Sequence, residues 1–294
     1  LFGIAVITVF NILTVPVEFE FKNSSNYFVT GGFGPNQVSA ALGLGILLCF
    51  VLLLAGRLPT LSRIFLGGTL LLMISQSAFT FSRNGIYCGV GASILAIPFL
   101  VVDAKARKRL LFFIPVLAVI LIFVLIPRID EFTGGKLTDR FEQTSGSGRE
   151  DILAAELELW KSNPVFGVGP GVGRYVRADV WEAAAHTEFT RLLAEHGLFG
   201  LLALLLYPVL FIHAFLSSRS PLQRGIVTCS VAWAISFMLV NAMRMAAPGF
   251  MFGLAFAQLT GPAAFTGSHD LPALEVDDTG YRSTGIYSKA EFSR

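Results

Sequence analysis

Eight long apolar blocks account for most of the sequence, and they constrain the fold more than any other feature. Charged residues make up only 14% of the chain, whereas soluble domains contain about a quarter. A transmembrane helix needs about 20 mostly apolar residues, and most of the blocks approach that length. The sequence therefore predicts an all-α integral membrane protein with about eight transmembrane helices within residues 1–265. The blocks are Leu1–Val15, Gln37–Ala55, Arg63–Phe81, Ile86–Val102, Leu110–Ile126, Leu198–Leu216, Ile226–Met243 and Phe250–Phe265.

Both ends of the sequence depart from this pattern. The first block is short, and the chain begins at Leu1 without a methionine or a basic leader. We therefore expect the chain to start within a longer membrane protein, because no small-residue cleavage site follows the block as it would in a signal peptide. The last segment, Thr266–Arg294, is polar and mixed in charge, which predicts a disordered cytoplasmic tail.

The basic residues of the short loops predict the orientation of the chain. Eight of them lie in loops on one side of the predicted spans, and three lie on the other side. The positive-inside rule places the richer side in the cytoplasm. Both ends of the chain are then cytoplasmic, and the long loop 127–197 is periplasmic. The eight are Arg57, Arg63, Lys105, Arg107, Lys108, Arg109, Arg219 and Arg224, and the three are Lys22, Arg83 and Arg244.

The first half of the long loop contains the signals for one helix. Its leading segment, Thr133–Gly148, is rich in Gly, Ser and Thr and is predicted to be mobile. Ser147 then stands three residues before Glu150, which is the spacing of a capping box. A helix is therefore expected from about residue 148 to residue 162, where Asn163-Pro164 ends it. Its apolar face is predicted to comprise Leu153, Leu157 and Trp160.

The second half of the loop contains a glycine-rich run and a second predicted helix. The run Gly167–Gly173 suggests a phosphate-binding loop, but it lacks the Lys-Ser/Thr ending and the preceding strand of that motif. A tight turn with close backbone packing is favoured instead. The second helix is expected from about Ala184 to His196, with Gly197 at its end. Glycines within the spans, such as Gly85 and Gly89, are ascribed to close helix packing.

Two side chains of these loops stand out from a solvated surface. Arg83 lies in a turn of a few residues between two spans, which holds it at the membrane boundary. Its planar fork suits a phosphate, although an arginine at that depth can also snorkel. His186 has an ordinary pKa of about 6.5, which suits proton transfer near neutral pH, although a surface histidine is the alternative. Lesser cationic candidates are Lys22, Arg128, Lys136, Arg140 and Lys161.

Other chemistries find no support in the sequence. Cys49, Cys88 and Cys229 fall within apolar spans and show neither a disulfide framework nor a metal-ligand spacing. The loops contain no Asp-x-Asp pair, no Ser-His-Asp signature and no nucleophile elbow. The net charge of +2 gives no reason to expect nucleic acid as a partner. No cofactor and no metal are therefore predicted.

Three stretches of the chain resemble the O-antigen ligase and polymerase superfamily, membrane glycosyltransferases of cell-surface polysaccharide assembly. The longest joins the Asn-Pro-Val-Phe-Gly-Val-Gly-Pro-Gly run ending at Gly171 to Ala185-His-Thr-Glu-Phe189 and to the Gly-Leu-Phe-Gly start of the next span. Thr187 stands where asparagine is common in the family. The other two are Ser82-Arg-Asn-Gly85 and Ser147-Gly-Arg149. The resemblance extends over about residues 25–245, with its core at about 65–205.

The resemblance implies both a fold and a reaction. The fold is a GT-C-like membrane architecture in the bacterial inner membrane. The reaction is the metal-independent transfer of a glycan from a polyprenyl-pyrophosphate donor to a sugar hydroxyl on another glycan or lipid, with inversion. By resemblance, His186 is the base for that hydroxyl, and Arg83 and Arg149 bind the pyrophosphate. Secondary candidates for phosphate or glycan contact are Arg174, Arg177, Arg191 and Arg244.

Several alternatives stay open at this point. The loop motifs do not separate an O-antigen ligase from an O-antigen or exopolysaccharide polymerase, or from a member that glycosylates protein. A transporter or flippase for the same lipid-linked glycan would also have many spans and cationic residues. Transporters more often carry charges in mid-span and show inverted repeats, whereas these spans are nearly free of charge. A membrane scaffold would leave the loop motifs unexplained.

Overall fold

The computed structural model describes residues 1–15, 21, 24–56, 58–142, 149–177, 185–242 and 246–257. Within these residues all secondary structure is helical, as the sequence predicts. Arg244 and the predicted tail Thr266–Arg294 lie outside them. The helices are α1 (Phe2–Leu13), a short 3-10 helix (Phe28–Thr30), α2 (Pro35–Ala55), α3 (Thr60–Phe79), α4 (Asn84–Leu100), α5 (Ala104–Ile120), a π-helical turn (Leu121–Leu125), α6 (Ile126–Phe132), α7 (Lys136–Glu142), α8 (Arg149–Ser162), α9 (Gly173–Val176), α10 (Glu188–Ser217), α11 (Pro221–Val240) and α12 (Ala247–Ala255).

Five helices of the described part are long and apolar enough to cross a bilayer, which confirms a membrane protein. The apolar helices α1 and α4 are shorter, and α12 has nine described residues. Each of the eight predicted blocks thus overlaps a described helix, while the count of eight spans and the GT-C-like architecture stay predictions. The five long helices are α2, α3, the continuous helix Ala104–Phe132, α10 and α11.

Helix α4 packs between α2 and α11 and supports the turn that carries Arg83. Gly43 on α2 faces Gly85 and Gly89 on α4 so closely that a Cβ on any of the three would meet the backbone of the other helix. This confirms the packing role predicted for these glycines. From α11, the buried Trp233 donates its Nε1–H to the carbonyl oxygen of Ala40 on α2 at 3.2 Å. The N-terminal end of α4 is therefore fixed by backbone contact.

The continuous helix Ala104–Phe132 is longer at both ends than the predicted block Leu110–Ile126. Asp103 caps its start by accepting the N–H groups of the first turn at 3.3 Å. At the other end, the π-helical turn leads into the first turn of α6, where a proline is tolerated. Its most apolar stretch buries no residue against the rest of the protein, so the helix borders the bundle loosely. The segment Thr133–Gly148, which was predicted to be mobile, contains the helix α7.

Helix α10 folds back on itself at Gly197. Gly197 has a φ of +56°, and a Cβ there would lie 2.6 Å from the carbonyl oxygen of Val165. Gly200 approaches the backbone of Leu192, eight residues earlier, whereas a straight helix would separate them by about 12 Å. The first part of α10, from Glu188 to the break, therefore runs back alongside the second part.

The glycine-rich run packs against this break. The N–H groups of Val168 and Gly169 donate to the carbonyl oxygens of Ala194 and Glu195 at 2.9 and 3.0 Å. These carbonyls need partners outside the helix because the helical ladder stops at Gly197. The run is therefore the tight turn favoured by the sequence, and these two N–H groups bond to protein and not to an anion.

Candidate active site

The turn between α3 and α4, which carries Arg83, is held by polar side chains of two other helices. The hydroxyl of Ser39 on α2 accepts the N–H of Gly85 at 2.9 Å and donates to the carbonyl oxygen of Ser82 at 3.0 Å. Beside it, Nδ2 of Asn84 donates to Oδ1 of Asn241, the C-cap residue that follows α11, at 3.3 Å. Buried hydrogen bonds of this kind specify one geometry, because a polar group left unbonded there would be costly.

Phe81 adds backbone strain immediately before the turn. Its φ is +53°, a left-handed conformation that costs a residue with a side chain about 1–2 kcal/mol. The side chain is fully buried and packs with Ile129 and Leu137. Strain of this type persists only where the surroundings impose it, and it is common at functional sites. The direction in which Arg83 leaves the turn is therefore set by several elements at once.

Arg83 and Arg140 each bond to the backbone of the other's segment. Nη2 of Arg83 donates to the carbonyl oxygens of Arg140 and Phe141 at 2.8 and 3.0 Å. Its guanidinium also lies 5.6 Å from the ring centroid of Phe141. In return, Nε of Arg140 donates to the carbonyl oxygen of Phe81 at 3.4 Å. These bonds attach the C-terminal end of α7, where the helix dipole favours a cation, to the α3–α4 turn.

Three guanidinium groups gather at this point, and we call Arg83, Arg140 and Arg149 the arginine cluster. The pKa of Arg140 is lowered, first by burial and then by the neighbouring charges of Arg83 and Arg149. Nε of Arg149 is buried without a hydrogen-bond partner in the described part of the chain. Arg140 and Arg149 also form no ion pair with a described carboxylate. The structure thus places Arg140, which was only a lesser candidate, near both Arg83 and Arg149.

An apolar cavity of about 740 Å³ is lined in part by α7, the helix that carries Arg140. It lies between α2, α3, α4 and the continuous helix Ala104–Phe132, and its lining is mostly aliphatic and aromatic. One end reaches α7, whose Phe141 carbonyl accepts a hydrogen bond from Arg83. The volume falls within the range of about 300–1,000 Å³ typical of ligand pockets. Residues along its length include Phe50, Ile74, Val90, Ile97, Phe113 and Leu121.

A buried ion pair joins α8 to Arg177, the residue that follows α9. Nη1 of Arg177 bonds to Oε1 of Glu156 at 2.7 Å, and Thr190 Oγ1 donates to Oε2 at 2.5 Å. Burial raises the pKa of Glu156, while the hydrogen bond from Thr190 and the charge of Arg177 oppose the rise. The buried residues of α8 are Ile152 and Glu156. The predicted apolar face is therefore wrong at Leu153, which is 39% exposed, because the loop buries a paired carboxylate instead.

Arg191 is engaged by two carboxylates of its own helix. Its Nε and Nη2 donate to Glu188 at 2.9 and 2.5 Å, and its Nη1 donates to Glu195 at 2.6 Å. Both carboxylates are buried. Two of the secondary candidates, Arg177 and Arg191, therefore bind glutamates of the loop itself.

The other two secondary candidates differ from these. Arg174 is exposed, and its guanidinium lies 4.4 Å from the ring centroid of Tyr175. Arg244 lies outside the described residues. Within the described part, no group of three or more His, Cys, Asp or Glu side chains could hold a metal ion.

His186 lies beside the cap of α10 and not within the helix. Thr187 is the N-cap, and its Oγ1 accepts the N–H of Thr190 at 3.2 Å. The hydroxyls of Thr187 and Thr190 are 2.6 Å apart, and Thr190 in turn donates to Glu156. The predicted helix start at about Ala184 is wrong, because residues 185–187 are not helical and the cap is supplied later. The Glu156 ion pair thus anchors the segment that carries His186.

Arg140 was predicted only as a lesser cationic candidate, and no role was predicted for Glu156. Arg140 belongs to the segment that was predicted to be mobile, and its nearness to Arg83 depends on a helix whose seven residues carry no strong apolar period. Glu156 stands four residues after Ile152, a spacing that places both on one helix face. That spacing was the signal available for the buried face of α8.

Comparison with known protein families concerns both the arginine cluster and the Glu156–Arg177 ion pair. Residues 78–205 match the family described as O-antigen ligase. The matched range contains the whole arginine cluster, the Glu156–Arg177 ion pair and His186. The resemblance inferred from the sequence motifs is thereby confirmed. A search of curated proteins finds no significant match.

Proposed function

We propose, from the membership of residues 78–205 in the O-antigen ligase family, that this membrane protein is a glycosyltransferase of cell-surface polysaccharide assembly. Its donor is a glycan carried on a polyprenyl pyrophosphate, and its acceptor is a sugar hydroxyl on a second glycan or lipid. One observation carries the proposal: the guanidinium of Arg83 bonds to the backbone of Arg140 and Phe141 on α7, and this helix lines one end of an apolar cavity.

The donor is amphiphilic, and the site has two matching parts. The cavity suits a stretch of the polyprenyl chain, since hydrocarbon surface is favourably removed from water or loosely packed lipid there. The arginines suit the pyrophosphate, because guanidinium forks bind paired phosphate oxygens and stay charged. The unbonded Nε of Arg149 supports an anionic ligand, since a buried donor without a partner is costly.

The reaction is a direct displacement at the anomeric carbon of the donor sugar. The acceptor oxygen forms a bond to that carbon while the bond from the carbon to the phosphate oxygen breaks. His186 takes the proton of the acceptor hydroxyl, and the electron pair of the broken bond stays on the pyrophosphate. Arg83 and Arg149 stabilise this charge, so the leaving group needs neither a metal nor an added proton. Attack from the opposite face inverts the configuration.

We place this reaction at the outer face of the bacterial inner membrane. The excess of Lys and Arg in the opposite short loops supports that orientation, with loop 127–197 periplasmic and both ends cytoplasmic. A ligase and a polymerase use the same donor chemistry and differ in the acceptor, so the proposal covers both.

The test uses purified protein in liposomes that contain a polyprenyl-pyrophosphate glycan. Two acceptors, a lipid A–core and a second donor molecule, separate ligase from polymerase. Wild type should form a new glycosidic bond with one of them, also in the presence of EDTA. His186→Ala should lower kcat by about 10²–10⁴-fold, the usual contribution of a general base. The matched control His196→Ala, on the other loop histidine, should stay active.

Two results would count against the proposal. Near-normal transfer by His186→Ala would remove His186 as the base. Wild-type protein that moves the lipid-linked glycan across the bilayer without joining it to either acceptor would replace the transferase by a transporter.

A further inference from the structure

Helix α7 joins the two parts of the proposed donor site. Arg140 lies on this helix, and its guanidinium reaches the α3–α4 turn through the bond from its Nε to Phe81. The same helix turns other side chains toward the apolar cavity. A seven-residue helix therefore contacts both the cavity and the arginine cluster. Its residues that line the cavity are Leu137, Thr138, Phe141 and Glu142.

Arg140 is held in place while most of its donors remain available. Its Nε makes the only hydrogen bond that its side chain forms within the described part of the chain. The residue is half-buried, and the charges of Arg83 and Arg149 lie near it. Like charges brought together raise the free energy of the folded state unless an anion binds among them. The fold fixes this arrangement through the reciprocal bonds of Arg83 and Arg140.

The proposed reaction increases the negative charge at this position. The pyrophosphate of the donor is esterified at both ends. Breaking the bond to the sugar leaves a terminal phosphate, which gains about one negative charge near neutral pH. A cation placed to meet that charge accelerates the reaction, because it interacts more strongly with the transition state than with the donor.

We propose that Arg140 is a third pyrophosphate-binding arginine, and that α7 recognises the junction between the pyrophosphate and the polyprenyl chain. The inference rests on the proposed function and assigns a residue to its donor site. Phe141 and Leu137 contact the first part of the hydrocarbon chain, and Arg140 binds the adjacent phosphates. Arg140 acts most strongly on the released polyprenyl pyrophosphate, which carries the additional charge.

The test measures the affinity of purified protein in lipid nanodiscs for polyprenyl pyrophosphate and for polyprenyl monophosphate. Arg140→Gln should weaken pyrophosphate binding by about tenfold, as expected for the loss of one charge-assisted contact, and should weaken monophosphate binding less. Arg140→Lys keeps the charge without the fork and should lie between this variant and wild type. Arg128→Gln is the matched control, because Arg128 is exposed and pairs with Glu131 at 3.9 Å. It should leave both affinities unchanged.

The outcomes separate this inference from the proposed function. Equal affinities of Arg140→Gln and Arg128→Gln would overturn the inference, while glycan transfer by wild type would still support the proposed function. Equal losses for both ligands in Arg140→Gln and Arg140→Lys would show that Arg140 only holds α7 in place, which also overturns it. The buried thiol of Cys88 should stay unreactive in every variant as a sign that the bundle is intact. Wild type that binds no polyprenyl pyrophosphate and transfers no glycan would overturn both.

Discussion

Replacing Arg177 with methionine would leave the carboxylate of Glu156 buried without its ion-pair partner. The two side chains are 1% and 3% exposed and are joined at 2.7 Å. Burial already raises the pKa of Glu156, and Arg177 is one of the groups that oppose the rise. In the variant we therefore expect Glu156 to take up a proton on folding, because an isolated buried carboxylate costs more than a protonated one.

The loss of loop stability in the variant depends on how far the pH lies above the ordinary pKa of Glu156. The ordinary pKa of the group is 4.5, and each pH unit above it costs about 1.4 kcal/mol. In the variant, the pKa of Glu156 in the folded loop lies above its unfolded value. The contribution of protonated Glu156 to the stability of the loop is therefore fully present below the unfolded pKa. It is lost as pH rises through the folded pKa. At about pH 7.5 the free energy of unfolding of the loop in the variant is therefore lowered by up to about 4 kcal/mol.

Hydrogen exchange of loop amides measures this local stability. The N–H groups of Val168 and Gly169 bond to carbonyl oxygens of α10, so their protection factors report the fold of the loop. In Arg177→Met these factors should fall by up to about tenfold per pH unit above 4.5. Wild type should show a weaker dependence, because Arg177 holds the pKa of Glu156 lower. Arg174→Met removes an exposed arginine of the same segment and should match wild type.

A double variant isolates Glu156 as the cause. Arg177→Met with Glu156→Gln has no titrating group at this position, and the amide oxygen still accepts the bond from Thr190. Its protection factors should be independent of pH and close to those of wild type at neutral pH. Protection that does not change with pH in Arg177→Met alone would refute the reasoning, as would an unchanged pH dependence in the double variant.

Two further substitutions test the loop fold and the cavity. Gly197→Ala places a Cβ on a residue with left-handed backbone, 2.6 Å from the carbonyl oxygen of Val165. It should lower the stability of the loop by at least about 1–2 kcal/mol, measured as lost amide protection. Gly249→Ala is the control, because a Cβ there meets no other atom within 4 Å. Ala118→Trp fills part of the cavity and should raise KM for a long polyprenyl donor but not for a short-chain analogue; equal KM values would argue against the cavity as the lipid site. Val119→Trp, at an exposed position of the same helix, should change neither value.

The parts of the fold that sequence could predict depend on local signals. Helix α8 was predicted from the spacing of Ser147 and Glu150 and from Asn163-Pro164, and it runs from Arg149 to Ser162. A stop signal acts within a few residues, so one stretch of sequence contains it. The close packing of Gly85 and Gly89 was predicted for the same reason, since small residues four apart define one helix face.

The parts that sequence could not predict depend on contacts between distant residues. Arg140 lies 57 residues from Arg83 along the chain, and only the tertiary fold brings the carbonyl of one to the guanidinium of the other. The cavity lies where the continuous helix Ala104–Phe132 packs loosely beside α2, α3 and α4, and the apolar sequence in the middle of that helix does not reveal this loose packing. The late start of α10 also escaped prediction, since the helix was expected to begin near Ala184 and Thr187 was not identified as its N-cap.

The ion pairs in the structure divide the arginine candidates into two groups that the sequence did not distinguish. Arg177 and Arg191 form ion pairs with glutamates of their own loop, and these ion pairs stabilise the segment next to His186. Arg140 and Arg149 form no ion pair with a carboxylate of the described residues, and the described bonds of Arg83 run to backbone carbonyls. A backbone carbonyl orients a guanidinium without neutralising it, so the bond from Arg140 to the carbonyl oxygen of Phe81 leaves the charge of Arg140 available to an anion. Within the described residues, the three buried glutamates of the loop therefore pair with Arg177 and Arg191, whereas Arg140 and Arg149 pair with none of them.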